Sequence, residues 1–256
     1  MPVKAPWIGT SWKMNKTRAE AKAFAHVLAA SAVAATLRAR PFVVPPFTAI
    51  ADVAQILSGS RVRIGAQNMH WAKAGAWTGE ISAPMIIDCG ATLVEIGHSE
   101  RRTYFGETDE SVALKTRAAV KHGLLALVCV GDTRAEYEAG QTARALARQV
   151  RAALSGLGAA DRANIVIAYE PVWSIGEGGV PADPDFADKQ HELIKHESLG
   201  RFAEPIEVVY GGSVNPQNCC ALATRQNIDG LFIGRSAWDA QGYIGIVDSV
   251  AAALEA

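Results

Sequence analysis

Short apolar runs alternate with longer amphipathic stretches along the whole chain. The runs are WIGTSW from Trp7, PFVVPP from Pro41, RVRIGAQN from Arg61, TLVEIG from Thr92, LLALVCVG from Leu124, NIVIAYE from Asn164, IEVVYGG from Ile206 and GLFIG from Gly230. Most are apolar on consecutive rather than alternate positions, the mark of a strand covered on both faces, as in a parallel sheet. Between them, residues 18–30, 110–121, 135–154, 185–197 and 244–254 carry apolar side chains at helical spacing. Strands and helices in alternation predict βαβ units. Each unit needs about 30 residues, so the 256 residues hold about eight. Eight such units can close into a barrel. The predicted fold is α/β, a single (β/α)8 barrel domain over residues 1–256.

The alternative is an open, doubly wound sheet. That fold normally carries a glycine-rich turn after its first strand. Here the turn is SWKMN, which disfavours a dinucleotide site. There is no internal repeat, low-complexity stretch or Gly/Ser-rich linker.

Composition narrows the partners. Apolar residues make up 49% of the chain, enough for a large core, and 25 Lys+Arg stand against 26 Asp+Glu. No basic excess points to nucleic acid, and the expected partner is a small molecule. No apolar run approaches the roughly 18 residues of a membrane span, and MPVKAPWIGT lacks the pattern of a signal peptide. Cys89, Cys129, Cys219 and Cys220 form no C-x-x-C pair. They read as reduced thiols of a cytoplasmic protein rather than as disulfides or metal ligands.

In a closed barrel the chemistry sits where strands end. The first strand hands over Lys13, the fourth His98 followed by Ser99 and Glu100, and the sixth Glu170. The seventh gives Tyr210-Gly211-Gly212-Ser213, and the eighth Gly234-Arg235-Ser236. A cation, an imidazole, a carboxylate and two glycine turns on one rim suit proton movement on a small anionic substrate. Glu170 closes an apolar run, where desolvation makes a carboxylate a stronger base; the structural alternative is a carboxylate paired with Arg or Lys. His98 precedes a helix start, whose positive end disfavours imidazolium; alternatively it is a core histidine or a cap. Lys13 could hold a phosphate or offset a developing enediolate, or be an ordinary surface lysine. Residues 171–181, PVWSIGEGGVP, set three glycines between prolines, as a lid would and as a plain long loop also could. The turns YGGS and IGR offer backbone N–H groups to an anion, a weak signal in isolation.

Taken together, these segments resemble the triosephosphate isomerase family. The matching stretches are WKMN at 12–15, GAQN at 65–68, GAWTGE at 75–80, EIGHSERR at 95–102, CVGD at 129–132, YEPVWSIG at 169–176, YGGSVNP at 210–216 and DGLFIG at 229–234. They run in family order from end to end. The resemblance implies a TIM barrel in which Glu170 takes a proton beside a carbonyl. Neutral His98 donates to the carbonyl oxygen, giving a cis-enediolate, and Lys13 stabilises its charge. That division of labour is the family's own and is carried over with the resemblance. It further implies phosphate binding by N–H groups of Gly176, Ser213, Gly234 and Arg235, with Tyr210 and Gly212 supporting and Glu100 beside His98. No metal or cofactor is implied. GAWTGE resembles the loop by which family members enter a twofold partner, so Thr78 is expected at a homodimer contact.

Four positions depart from the family pattern. Ser11 stands where Asn is usual, Glu177 lies inside the lid glycines where Thr is usual, Arg235 replaces a glycine, and Asp132 replaces a Glu. The first reading of the substrate is triose phosphate, D-glyceraldehyde 3-phosphate and dihydroxyacetone phosphate. The alternative is L-erythrulose 1-phosphate, converted to D-erythrulose 4-phosphate in erythritol breakdown. Ser11 leaves room for one more CH2OH, and SWKMN with GRSAW is similar to a family branch acting on that ketose. A non-catalytic sugar-phosphate-binding barrel is a third reading.

Overall fold

The computed structural model describes residues 5–176 and 179–255. Eight parallel strands close into one barrel in sequence order, the first pairing with the last. They are β1 (Trp7–Ser11), β2 (Arg40–Val44), β3 (Arg63–Ala66), β4 (Leu93–Ile96), β5 (Leu125–Val130), β6 (Ile165–Tyr169), β7 (Glu207–Tyr210) and β8 (Gly230–Ile233). The outer layer holds α1 (Arg18–Ala29), α2 (Ile50–Ile56), α3 (Ala83–Asp88), α4 (Ser99–Tyr104), α5 (Asp109–Lys121), α6 (Arg134–Glu138), α7 (Thr142–Ala153), α8 (Pro184–Leu199), α9 (Cys219–Ala223) and α10 (Ala240–Ala253). No helix among the described residues is long and apolar enough to cross a membrane.

The predicted strands all form. Helices foreseen at 18–30, 110–121 and 185–197 appear as α1, α5 and α8 within two residues at each end. The stretch 135–154 is two helices instead of one: the chain turns at Gly140 with φ 66°, a left-handed conformation that interrupts the helix. The helix foreseen at 244–254 begins earlier, at Ala240, where the Asp239 carboxylate accepts the Gly242 N–H at 2.9 Å as an N-cap. The short helices α2, α3 and α9 were not foreseen; none offers enough turns for a period to show.

Two cores follow from the two-residue period of a strand. Outward residues such as Ile8, Val43, Val94, Val128 and Ile167 pack on the helices. Inward residues, among them Trp7, Phe42, Leu93, Leu127, Cys129, Val166 and Phe232, fill the barrel. A Cβ on Gly9 would lie 2.2 Å from the Phe42 ring, so the ring occupies the space that side chain would need. The same inward register places Ser11 above Trp7 and Gly9 on β1, Glu95 above Leu93 on β4, and Glu170 above Val166 and Ala168 past β6. The polar layer therefore rests on an apolar floor.

Candidate active site

Three strand ends and two turns converge on a cavity of about 270 Å³, lined among others by Ser11, Lys13, His98, Glu170, Ser213 and Arg235. Gly176, Gly212 and Gly234 line it too. A larger cleft of about 550 Å³, lined by Trp7, Arg40, Arg63 and Glu207, brings no comparable acid–base pair together.

His98 is the N-cap of α4, and its Nδ1 accepts the Glu100 N–H at 3.2 Å. A ring nitrogen that accepts an amide proton carries none itself, so the neutral imidazole holds its proton on Nε2. Nε2 lies 3.3 Å from Glu170 Oε1. The capping alternative and the functional reading of His98 are thus one geometry: the cap fixes the tautomer and aims Nε2 inward.

Glu170 is 2% exposed. Its backbone N–H is held by Val130 O at 2.8 Å, and its Oε2 accepts the Ser99 N–H of the first turn of α4 at 2.9 Å. No Arg or Lys lies within ion-pairing distance of it among the described residues. Lys13 Nζ pairs with Glu100 Oε1 at 2.6 Å. Lys13 has φ 52°, a left-handed backbone that is strained for a side chain of this kind. Its carbonyl is fixed by Gln67 Nε2 at 2.8 Å, and the Ser11 carbonyl by Trp238 Nε1 at 2.9 Å. Gln67 and Trp238 were named only within the stretches GAQN and GRSAW; their tethering of the β1 exit was not foreseen.

Asp132 is fully buried and receives Thr142 Oγ1 at 2.7 Å, Tyr169 OH at 3.0 Å and Trp173 Nε1 at 3.2 Å. Noted in the sequence only as a departure, it anchors the root of the 171–181 segment through Trp173, whose ring stacks on Tyr137. Tyr210 is buried with its ring edge-on to Tyr169. A Cβ on Gly212 would lie 2.3 Å from the Tyr210 hydroxyl and 2.7 Å from Ser174 Oγ, so only glycine lets the segment root sit there. Gly176 has φ 89°. Glu177 lies outside the described residues. Thr78 is on an exposed stretch, 73–80, none of whose residues lines the cavity.

One site residue was missed. Glu95, 2% exposed, accepts from Ser11 Oγ at 2.9 Å, and its Oε1 lies 3.8 Å from His98 Nε2. Burial pushes its carboxyl up to about 7; Glu170 adds to the shift, while His98, Ser11 and Lys13 oppose it. Burial likewise pushes the Cys129 thiol up, with the Glu170 and Glu95 carboxylates adding to it. Glu95, His98 and Glu170 each bring one ligand atom within 4.8 Å of the others. Chemically this set can exchange protons with a hydroxyketone or chelate a cation.

The family model described as triosephosphate isomerase matches residues 6–250. The L-erythrulose-1-phosphate isomerase of Mesorhizobium japonicum is 58% identical over 249 residues, covering 97% of this chain and 98% of its own. That of Rhizobium meliloti is 55% identical over the same shares. That of Brucella abortus is 53% identical, covering 98% of each chain. These relatives overturn the first reading of the substrate: all three carry the name of the four-carbon ketose isomerase, the reading placed second. They also remove the non-catalytic barrel. A full-length family match and relatives at this identity make the chain an isomerase that belongs to the triosephosphate isomerase family.

Proposed function

We propose that the chain interconverts L-erythrulose 1-phosphate and D-erythrulose 4-phosphate. The observation that carries this reading is the 3.3 Å approach of His98 Nε2 to Glu170 Oε1 beside Ser11, a side chain one atom group smaller than the family's usual Asn. The names of the relatives support the ketose.

Glu170 takes the proton from C3, the carbon between the C2 carbonyl and the terminal CH2OH. The electron pair moves onto the C2 oxygen, which accepts a hydrogen bond from His98 Nε2–H, giving a cis-enediolate. His98 then passes its Nε2 proton to the C2 oxygen and takes the C3 hydroxyl proton in exchange, and Glu170 returns its proton to C2, so the carbonyl has moved by one carbon and no external oxidant or reductant is consumed. Lys13 offsets the charge on the two oxygens, with Glu100 as the counter-ion that holds its ammonium at the rim. N–H groups of Gly176, Ser213, Gly234 and Arg235 hold the phosphate, and the 171–181 segment closes over it to exclude water from the enediolate.

The direct test is kcat/KM of the wild-type protein on L-erythrulose 1-phosphate and on dihydroxyacetone phosphate. The tetrulose phosphate is expected to win by at least about tenfold, the value of a single well-used group in a pocket; parity or reversal overturns the reading. Ser11→Asn is expected to move that ratio toward the triose by a similar factor, and an unmoved ratio removes Ser11 as the source of space.

The site also depends on assembly in this reading. Loop 73–80 is exposed throughout, with Trp77 half-exposed and its ring 4.3 Å from His70. A second copy of the chain receives this loop near its Lys13 segment, making a homodimer. Thr78→Arg is expected to halve the mass seen by light scattering and to lower kcat by about 10²-fold, the scale of a misplaced catalytic group. A variant that stays dimeric contradicts the contact.

A further inference from the structure

The proton-transfer route uses Glu170, His98 and Lys13 and leaves one buried carboxylate without a task. Strand β4 reads Leu-Val-Glu-Ile, with the Glu on the inward face above Leu93. An ionisable group inside a barrel is expensive to desolvate unless it is paired. Glu95 is not so paired. Its donor is the Ser11 hydroxyl, on Oε2 at 2.9 Å. Lys13, whose ammonium belongs to the cavity lining, is held by Glu100. Oε1 has no hydrogen-bond donor among the described residues; His98 Nε2 stands 3.8 Å away, too far for a bond. An oxygen of a buried carboxyl is therefore left without a donor, in a cluster with His98 and Glu170 whose ligand atoms lie within 4.8 Å of one another, and those two residues line the cavity.

Depth tells which part of a ligand meets it. Glu95 lies within β4, whereas His98 lies past the end of that strand as the N-cap of α4, so Glu95 sits further down the barrel than the imidazole. A phosphate at the Ser213 and Gly234 turns sits at the rim. The far end of a short ketose phosphate, past the reacting carbon, must then point to the floor. That floor is apolar apart from Ser11 and Glu95, with Phe42, Cys129 and Phe232 beneath. A three-carbon substrate ends there in hydrogen, and a four-carbon one ends in a primary hydroxyl.

We infer that Glu95, oriented by Ser11, is the specificity-determining acceptor for the terminal hydroxyl of the four-carbon ketose phosphate. The hydroxyl donates to Glu95 Oε1 while Ser11 Oγ–H keeps Oε2 in place. This rests on the reading under Proposed function and adds to it the group that recognises the fourth carbon. A buried acceptor built for a hydroxyl discriminates against the ligand lacking it far better than an enlarged apolar pocket could, because the acceptor is left unpaired by the smaller ligand.

The experiment is steady-state kinetics of wild type, Glu95→Leu, Glu95→Gln and Ser11→Ala on L-erythrulose 1-phosphate and dihydroxyacetone phosphate. Binding of a two-carbon phosphate ligand checks the fold and the phosphate cradle. Glu95→Leu is expected to lower kcat/KM on the tetrulose phosphate by about 10²-fold, mostly in KM, and to lower it on the triose phosphate at least about tenfold less. Glu95→Gln, which keeps an acceptor of the same shape, is expected to recover most of the loss. Ser11→Ala shifts the ratio in the same direction as Glu95→Leu. Should Glu95→Leu fail to fold, the Gln and Ala variants carry the same comparison. A tetrulose-to-triose ratio that stays within about threefold of wild type in the folded variants, under the value of one hydrogen bond to a buried carboxyl, overturns the assignment of Glu95 alone. Absence of wild-type turnover on L-erythrulose 1-phosphate overturns the substrate and the acceptor together.

Discussion

Glu170→Gln is expected to lower kcat by at least about 10²–10⁴-fold, the usual contribution of a positioned general base, with little change in affinity for a phosphate-bearing ligand. The substitution is close to isosteric. The Gln carbonyl oxygen can still accept the Ser99 N–H that Glu170 Oε2 accepts at 2.9 Å, so the carboxamide occupies the same place and the phosphate turns are undisturbed. What disappears is basicity beside the carbon whose hydrogen must leave. In the proposed mechanism the base acts on the way to the enediolate and not in the resting complex, so kcat and kcat/KM are expected to fall together while KM stays near its starting value. Single-turnover rates and equilibrium binding of a phosphate ligand check this. A variant keeping a tenth or more of the wild-type rate removes Glu170 from the role.

The second large effect is on stability. Glu95 has its carboxyl raised from the ordinary 4.5 to about 7, chiefly by burial. The folded protein therefore holds a proton that the unfolded chain has already released over that range. Below about pH 4.5 the group is protonated in both states and makes no difference. As pH rises through the window to about 7, folding is progressively penalised, by about 3 kcal/mol at and above the upper limit (about 1.4 kcal/mol per unit). The groups facing Glu95 are Ser11 and Lys13 at the end of β1, His98 after β4, Cys129 on β5 and Glu170 after β6. Glu95→Gln removes this titration. Urea unfolding of the two proteins is expected to show the Gln variant gaining on wild type between pH 5 and pH 8, by up to about 3 kcal/mol. A difference that is flat across this range, or that shrinks as pH rises, contradicts the buried titration.

How much of this could be read beforehand depended on which residues carried a pattern. The eight strands were legible because their consecutive apolar residues leave no solvent face, and because TLVEIG, LLALVCVG and NIVIAYE end in the polar groups of the rim. Lys13, His98 and Glu170 were legible for the same reason, and the structure brings all three to one cavity. The break at Gly140 was not, since the residues on either side keep helical spacing and only the left-handed turn separates them. Glu95 was hidden differently: it sits inside EIGHSERR, where attention goes to the histidine. Counting by two from Leu93 would have turned it inward and posed the question of a charge in the barrel. The triose reading placed first failed because the reacting residues are shared by both substrates. Ser11 and Arg235 were the visible departures in the same cavity, and a smaller side chain at Ser11 indicates space without saying what fills it. Asp132 was noted as a change from Glu, but its grip on Trp173 depends on a fold-back of the chain that no local spacing encodes.

The Phe42 ring fills the place that Gly9 leaves vacant and stacks on Phe232, with centroids 5.7 Å apart. Phe232 is itself part of the wall of the reaction chamber. The cylinder is thereby stoppered at mid-height. Substrate and product of the isomerase therefore share the one open end of the cylinder, and the two compete for passage.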